Sequence, residues 1–274
     1  MCRPMPALLS KIVLMGVRFF NPGLLVIACA LLCGCSRQKP GTPGATSDTQ
    51  AAIPYFHVDQ TTAGSVDGTI VYAGGRAAAK PIDMSDDPAC VHAHHGRPHD
   101  ESLVVGAKNG LGNVFLYIEK GLEGKRFEVS TAPVVINQTG CWFEPRVIGI
   151  EVGQALNVVN SDPVTHNIHP MAQVNREWNH SQGPGDPPIV RHFTQPEIMI
   201  PVKCNIHSWM RAYIGVVSNP YFAVSDAAGK FRIPNLPPGT YTIAAWQEKL
   251  GTQRQTVTVE PGGAIHLQFV FRAK

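Results

Sequence analysis

An all-β fold is predicted for this 274-residue chain by three features of its sequence. Short runs rich in Val, Ile and Thr recur, each broken by Gly or Pro, as strands and their turns require. Only 16% of residues are charged, while 26 Gly and 23 Pro supply turn chemistry throughout. After the first forty residues, amphipathic helical periodicity is hard to find. The length suits one or two domains with real cores.

The first 35 residues read as an export signal. Arg3, Lys11 and Arg18 form a positive segment, and Leu24 to Leu32 an apolar core too short for a stop-transfer helix. Leu32-Cys33-Gly34-Cys35 resembles the lipobox of bacterial lipoproteins, with Cys35 as the lipidated residue and Met15 as an alternative start. Ser36, rather than Asp, after the Cys favours the outer membrane. Residues 36–58, rich in Gly, Pro, Ser, Thr and Gln, form a flexible tether reaching about 25 Å. Loss of the signal removes three of 23 basic residues and none of 20 acidic ones, so the remainder is formally neutral. A nucleic-acid partner is therefore not expected.

Three β-rich blocks follow. The first, an N-terminal β-segment over 59–129, holds the run Gly64 to Tyr72 and the run Asn113 to Ile118. Between them an irregular loop carries His92, His94, His95 and His99, a candidate second metal site. The second, 130–219, has strand-like runs at 134–137, 147–152, 155–160, 198–204 and 212–218, with a Pro-rich loop at 183–188. The third, 220–274, ends in strand-like runs at 255–259 and 264–271.

The second block carries the chemistry. Lys203-Cys204-Asn205-Ile206-His207-Ser208-Trp209-Met210 places a thiolate, an imidazole and a thioether at C-x2-H-x2-M spacing. A soft thiolate, two imidazoles and a weak axial Met are what a type 1 copper electron-transfer site requires. Asn160 to Asn167 supplies the second imidazole, His166, at the end of an apolar run, and Asn167 is placed to hydrogen-bond the Cys loop. The metal ligands are thus His166, Cys204, His207 and Met210, for one type 1 copper. His169 is expected on the outward face by strand alternation, and Trp209 fits either a docking surface or a core. Of seven Cys, Cys90, Cys141 and Cys204 remain beyond the signal. If Cys204 binds copper, Cys90–Cys141 is the disulfide left for an oxidising compartment.

The order Phe143-x-Pro145, Val152-Gly153, Asn160-x-Asp162, His166-Asn167, Cys204-x2-His207-x2-Met210 resembles the cupredoxins. Its spacing is most similar to the plastocyanin/amicyanin-like group and to exported bacterial proteins labelled methylamine-utilisation-like. The resemblance implies a Greek-key β-sandwich over 130–219. The pattern D-x2-G-x-F…L-P-P-G-x-Y at Asp226 to Tyr241 resembles the carboxypeptidase regulatory-like, or transthyretin-like, β-sandwich module. That module usually begins with strands like those of the first block, so the copper domain is a candidate insertion in a split sandwich.

The chain has no HExxH, GxSxG, P-loop or paired-carboxylate pattern, and Gly110-Leu111-Gly112 is no dinucleotide fingerprint. The expected function is therefore a membrane-tethered, periplasm-facing one-electron carrier, not an enzyme, with no small-molecule substrate. Its partners would be a cytochrome or a periplasmic dehydrogenase, met transiently where His207 lies nearest solvent. The alternatives are a copper carrier or sequestration protein adding the His92–His99 group, a red-copper enzyme with His169 or Glu197 intruding, and a β-sandwich without metal function.

Overall fold

The computed structural model describes residues 53–75 and 79–273. The signal, Cys35 and the tether up to residue 52 lie outside the described residues. The described chain is almost wholly β, as the composition implies. Strand β1 (Gly64–Tyr72) alternates strictly, with Val66, Ile70 and Tyr72 buried. A short helix, α1 (Pro88–Ala93), follows, and then β2 (Phe115–Lys120).

Nine strands come next: β3 (Val134–Thr139), β4 (Trp142–Glu144), β5 (Val147–Glu151), β6 (Ala155–Asn160), β7 (His166–Pro170), β8 (His180–Gln182), β9 (Ile189–His192), β10 (Glu197–Lys203) and β11 (Arg211–Val217). The chain closes with β12 (Phe222–Val224), β13 (Lys230–Leu236), β14 (Gly239–Gln247), β15 (Gly251–Val259) and β16 (Ala264–Phe271).

These strands make two sandwiches. In one, the sheet β13-β1-β16 faces the sheet β12-β2-β14-β15 across Val66, Ile70, Leu116, Ile118, Ile233, Tyr241 and Phe269. In the other, β5-β11-β10-β7-β8 faces β4-β3-β6-β9 across Ile136, Phe143, Ile150, Leu156, Ile168, Val202 and Ile214. Strands from both ends of the described chain build the first sandwich: β1 pairs with β13 and β16, and β2 with β12 and β14.

Strand β2 explains how the sandwiches meet. Its first four residues are all buried, because Leu116 and Ile118 face their own core while Phe115 and Tyr117 face the other way. Phe115 and Tyr117 pack there with Val147 of β5, Met199 of β10 and Val217 of β11. A strand covered on both faces reads as an unbroken apolar run. Gly149 and Gly215 make the seam fit: a Cβ on either would lie 2.3 Å from the Phe222 ring or 2.5 Å from the Phe115 ring, respectively.

Helix α1 differs from the irregular loop expected there. Asp87 caps it, accepting from the Ala89 and Cys90 N–H groups, and Pro88 occupies the first turn, where its missing N–H costs nothing. One helical turn of this kind has too few residues for a periodic signal.

Candidate metal centre

The site lies at one end of the second sandwich. Strand β10 pairs antiparallel with β11 and, at Val202 and Lys203, with β7. Cys204 follows the end of β10 directly, and its loop closes on itself. The Cys204 N–H donates to the Met210 carbonyl at 3.2 Å, and the Met210 N–H to the His207 carbonyl at 3.1 Å. Cys204, His207 and Met210 are all buried, and Met210 is one of the core residues of that sandwich.

His166 opens β7 across from that loop. The approach to it is pinned by Asn160, whose Nδ2 donates to the carbonyls of Val164 and Gln182, both at 2.9 Å. The Asp162 N–H returns to Asn160 Oδ1 at 3.0 Å. This fixes Asp162 at the Nε2 edge of His166, 2.7 Å away. Asp162 also accepts from the Gly140 and Cys141 N–H groups, each at 2.7 Å.

The donor atoms converge. His166 Nδ1 and His207 Nδ1 are 3.0 Å apart, and Cys204 Sγ is 3.8 Å from His207 Nδ1. Both Nε2 atoms face carboxylates: His166 faces Asp162, and His207 faces Asp87 at 3.0 Å. A neutral imidazole that donates Nε2–H to a carboxylate leaves its Nδ1 lone pair free. Two lone pairs and a sulfur then point into one water-poor space, which is favourable only with a cation or a shared proton between them. The separations suit an ion held about 2.0 Å from nitrogen and about 2.3 Å from sulfur.

The electrostatics favour a thiolate. Burial pushes the Cys204 thiol up, yet hydrogen bonds with His166 and from the N–H groups of His207, Asn167 and Ile206 outweigh it and bring it down to about 7. Burial opposes charge on His166, but the carboxylate of Asp162 and Cys204 together raise it. Desolvation also works against the Asp162 carboxylate, which its bonds with His166, Cys141 and Gly140 nevertheless hold below the usual range. Asp87 is lowered chiefly by its bond with His207.

The structure brings His166, Cys204 and His207 together, and Met210 is buried in the core of the same sandwich. Asn167 reaches the loop twice, donating its N–H to Cys204 Sγ at 3.3 Å and accepting from the Asn205 N–H at 3.0 Å. Its Nδ2 donates to Asn179 Oδ1. Cys90 and Cys141 form a disulfide, and Cys204 is the free thiol among the described cysteines.

Other candidates stay apart from the site. Among the described residues, His92, His94, His95 and His99 form no group with ring nitrogens converging for a metal. His94 instead meets the Gly140 carbonyl and the Trp142 ring, and His99 the Arg97 carbonyl. His169 lies away from the donors, its Nε2 against Glu177 at 2.5 Å. Glu197 accepts from the Gln173 and Asn175 N–H groups.

One expectation needs correction. His207 is only 3% exposed, so it does not present an edge to solvent; Asp87 and Cys90 cover it, with Cys90 Sγ 3.6 Å from Nε2. Sequence reasoning did not assign partners to the two imidazoles: Asp162 is the partner of His166 and Asp87 of His207. Asp87 gives no local signal at all. The spacing Asp162-x3-His166 is the one trace of the first contact that the sequence carries. Trp209 is half-buried against the His207 ring, at 5.2 Å between centroids, and donates Nε1–H to the Cys141 carbonyl.

Residues 212–272 match the family model of the carboxypeptidase regulatory-like domain. The match takes in nearly all of β11, in the second sandwich, and β12 to β16, which with β1 and β2 build the first. No curated protein matches the chain. Among solved structures, a copper-containing nitrite reductase from Thermus scotoductus SA-01 is similar at 22% identity and TM-score 0.30, over 36% of this chain and 26% of that one. A mutant amicyanin in its Cu(I) form matches at 22% identity and TM-score 0.27, over 33% of this chain and 87% of its own. A purple cupredoxin from Nitrosopumilus maritimus matches at 22% identity and TM-score 0.27, over 31% and 99%. The structural neighbours are thus cupredoxins across about a third of this chain, and the chain spans about a quarter of the nitrite reductase. At these TM-scores the likeness carries no argument about the site, which rests on its own geometry.

Proposed function

We propose that this protein is an exported, lipid-anchored, periplasm-facing electron carrier with one type 1 copper, held by His166, Cys204, His207 and Met210. The observation that carries the reading is the convergence of two imidazole Nδ1 atoms and a low-pKa thiol in a buried space, with Nδ1 atoms 3.0 Å apart. Two imidazoles, a thiolate and a thioether form the donor set that suits copper electron transfer. Copper bound there supplies a one-electron couple.

The chain's own part is to hold the donors still. Strands β7 and β10 anchor the two halves of the site, and the nested bonds of the Cys204–Met210 loop fix three donors by backbone. Asp162 orients the His166 imidazole. The N–H groups of Asn167, Ile206 and His207 stabilise negative charge on sulfur. Such a rigid site keeps rearrangement between oxidation states small, which favours a carrier over an enzyme. Electrons would pass to a cytochrome or a periplasmic dehydrogenase.

The test is the visible and EPR spectrum of the purified chain loaded with Cu(II), beside Cys204→Ser, with copper counted per chain. An intense thiolate-to-copper band at one copper per chain, absent from the variant, is the expected result. A weak ligand-field spectrum that Cys204→Ser leaves unchanged would overturn the proposal.

A further inference from the structure

The segment around α1 belongs to no strand of either sandwich, yet it ends against the metal centre. Asp87 splits its carboxylate between two tasks. Oδ1 accepts from the Ala89 and Cys90 N–H groups at 3.0 and 3.2 Å, which fixes the side chain at the helix start. Oδ2 is left to face His207 Nε2 at 3.0 Å. Three residues on, Cys90 is bonded to Cys141, whose own N–H donates to Asp162. One covalent bridge therefore joins the segment that carries Asp87 to the turn whose N–H groups hold Asp162. His207 is closed off by this arrangement, while Asp87 keeps 30% of its side chain in solvent.

We propose that Asp87, 120 residues before its partner, is a positioning residue of the metal centre: through Nε2 it holds His207 with Nδ1 toward the donors and closes that ring edge to solvent. The inference deepens the copper reading above and rests on it. A carboxylate accepting the distal N–H strengthens an imidazole as a donor. It therefore stabilises the more highly charged metal and lowers the reduction potential. Because the bridge at Cys90 ties the segment to the core of that sandwich, the centre is completed by residues that precede all of its strands in the chain.

The experiment is a redox titration of the copper-loaded full chain, comparing the parent with Asp87→Asn, Asp87→Ala and the control Asp83→Asn. Asp83 is on the same segment and bonds only locally, to the Ser85 N–H. Both Asp87 variants should keep the thiolate band and shift the Cu(I)/Cu(II) ratio at fixed potential about tenfold toward Cu(I), a rise of about 59 mV. Asp83→Asn should leave it in place. An unmoved potential in the Asp87 variants overturns the proposal, as does an equal shift in Asp83→Asn, which would mean a general charge effect. Should the Asp87 variants not fold, NMR of the parent decides: the His207 Nε2–H should exchange slowly with solvent, and fast exchange sinks the idea. Absence of the band from the parent itself overturns the copper reading instead, and the Nε2–H exchange, read on the metal-free chain, then decides the Asp87 contact.

Discussion

Asp162 binds three donors at once, two backbone N–H groups and the Nε2–H of His166. Asp162→Ala removes all three bonds, so two largely buried N–H groups lose their partner and His166 is free to rotate. Loss of an outer partner of a ligating histidine typically weakens metal binding 10–100-fold, and each orphaned buried group costs about 1–3 kcal/mol. Copper affinity measured against a competing chelator should fall within that range, with metal-free stability to urea also reduced. Unchanged affinity would show that the β7 backbone alone orients His166. At this scale the cluster of His166, Cys204 and His207 was legible: Cys204 and His207 sit at a short, chemically specific spacing, and His166 lies just beyond an apolar run. The carboxylates were not. Nothing in the sequence joins Asp87 to His207, because the contact depends on a disulfide across 51 residues and a fold that returns the chain to its own loop.

Strands with one solvated face, such as β1, announce themselves by alternation, and β2 by an unbroken apolar run. The runs read at 134–137, 147–152, 155–160, 198–204 and 212–218 correspond to β3, β5, β6, β10 and β11. Strands β4, β8 and β9 have three or four residues each, too short for a period-2 signal against Pro-rich surroundings. Gly149, which reads only as punctuation in the sequence, proves to be a packing residue, as does Gly215. A Cβ at position 215 would stand 2.5 Å from two atoms of the Phe115 ring, and Phe115 is fully buried with no room to retreat. Gly215→Ala should therefore lower unfolding free energy by about 1–3 kcal/mol, the usual cost of an overpacked core. Phe115→Leu in the same chain should recover part of that loss, since contacting residues couple. Additive losses in urea denaturation would place the strain elsewhere.

The two sandwiches are joined by a polar contact as well as by the apolar seam. Arg146, just before β5, meets Glu248, just after β14, at 2.9 Å, with side chains 8% and 6% exposed. The D-x2-G-x-F…L-P-P-G-x-Y pattern made β13 and β14 legible, but it carries no information on which residue of the other sandwich meets the turn beyond them. Removing one partner strands the other charge in the interior, so Glu248→Ala should cost about 3–5 kcal/mol at neutral pH. The pH dependence has a definite sign. Burial raises Glu248, more than Arg146 lowers it. A carboxyl raised in the folded state binds its proton more tightly there than in the unfolded chain. Its contribution to stability is complete below the unfolded value of about 4.3 and is lost as pH rises through the raised folded value. Glu248→Gln cannot titrate, so the stability difference between parent and variant should change across that window and level off above it. Urea denaturation of both proteins from pH 4 upward measures the difference directly. A constant difference would mean that Arg146 offsets burial fully, and that the pair joins the sandwiches with no proton linkage.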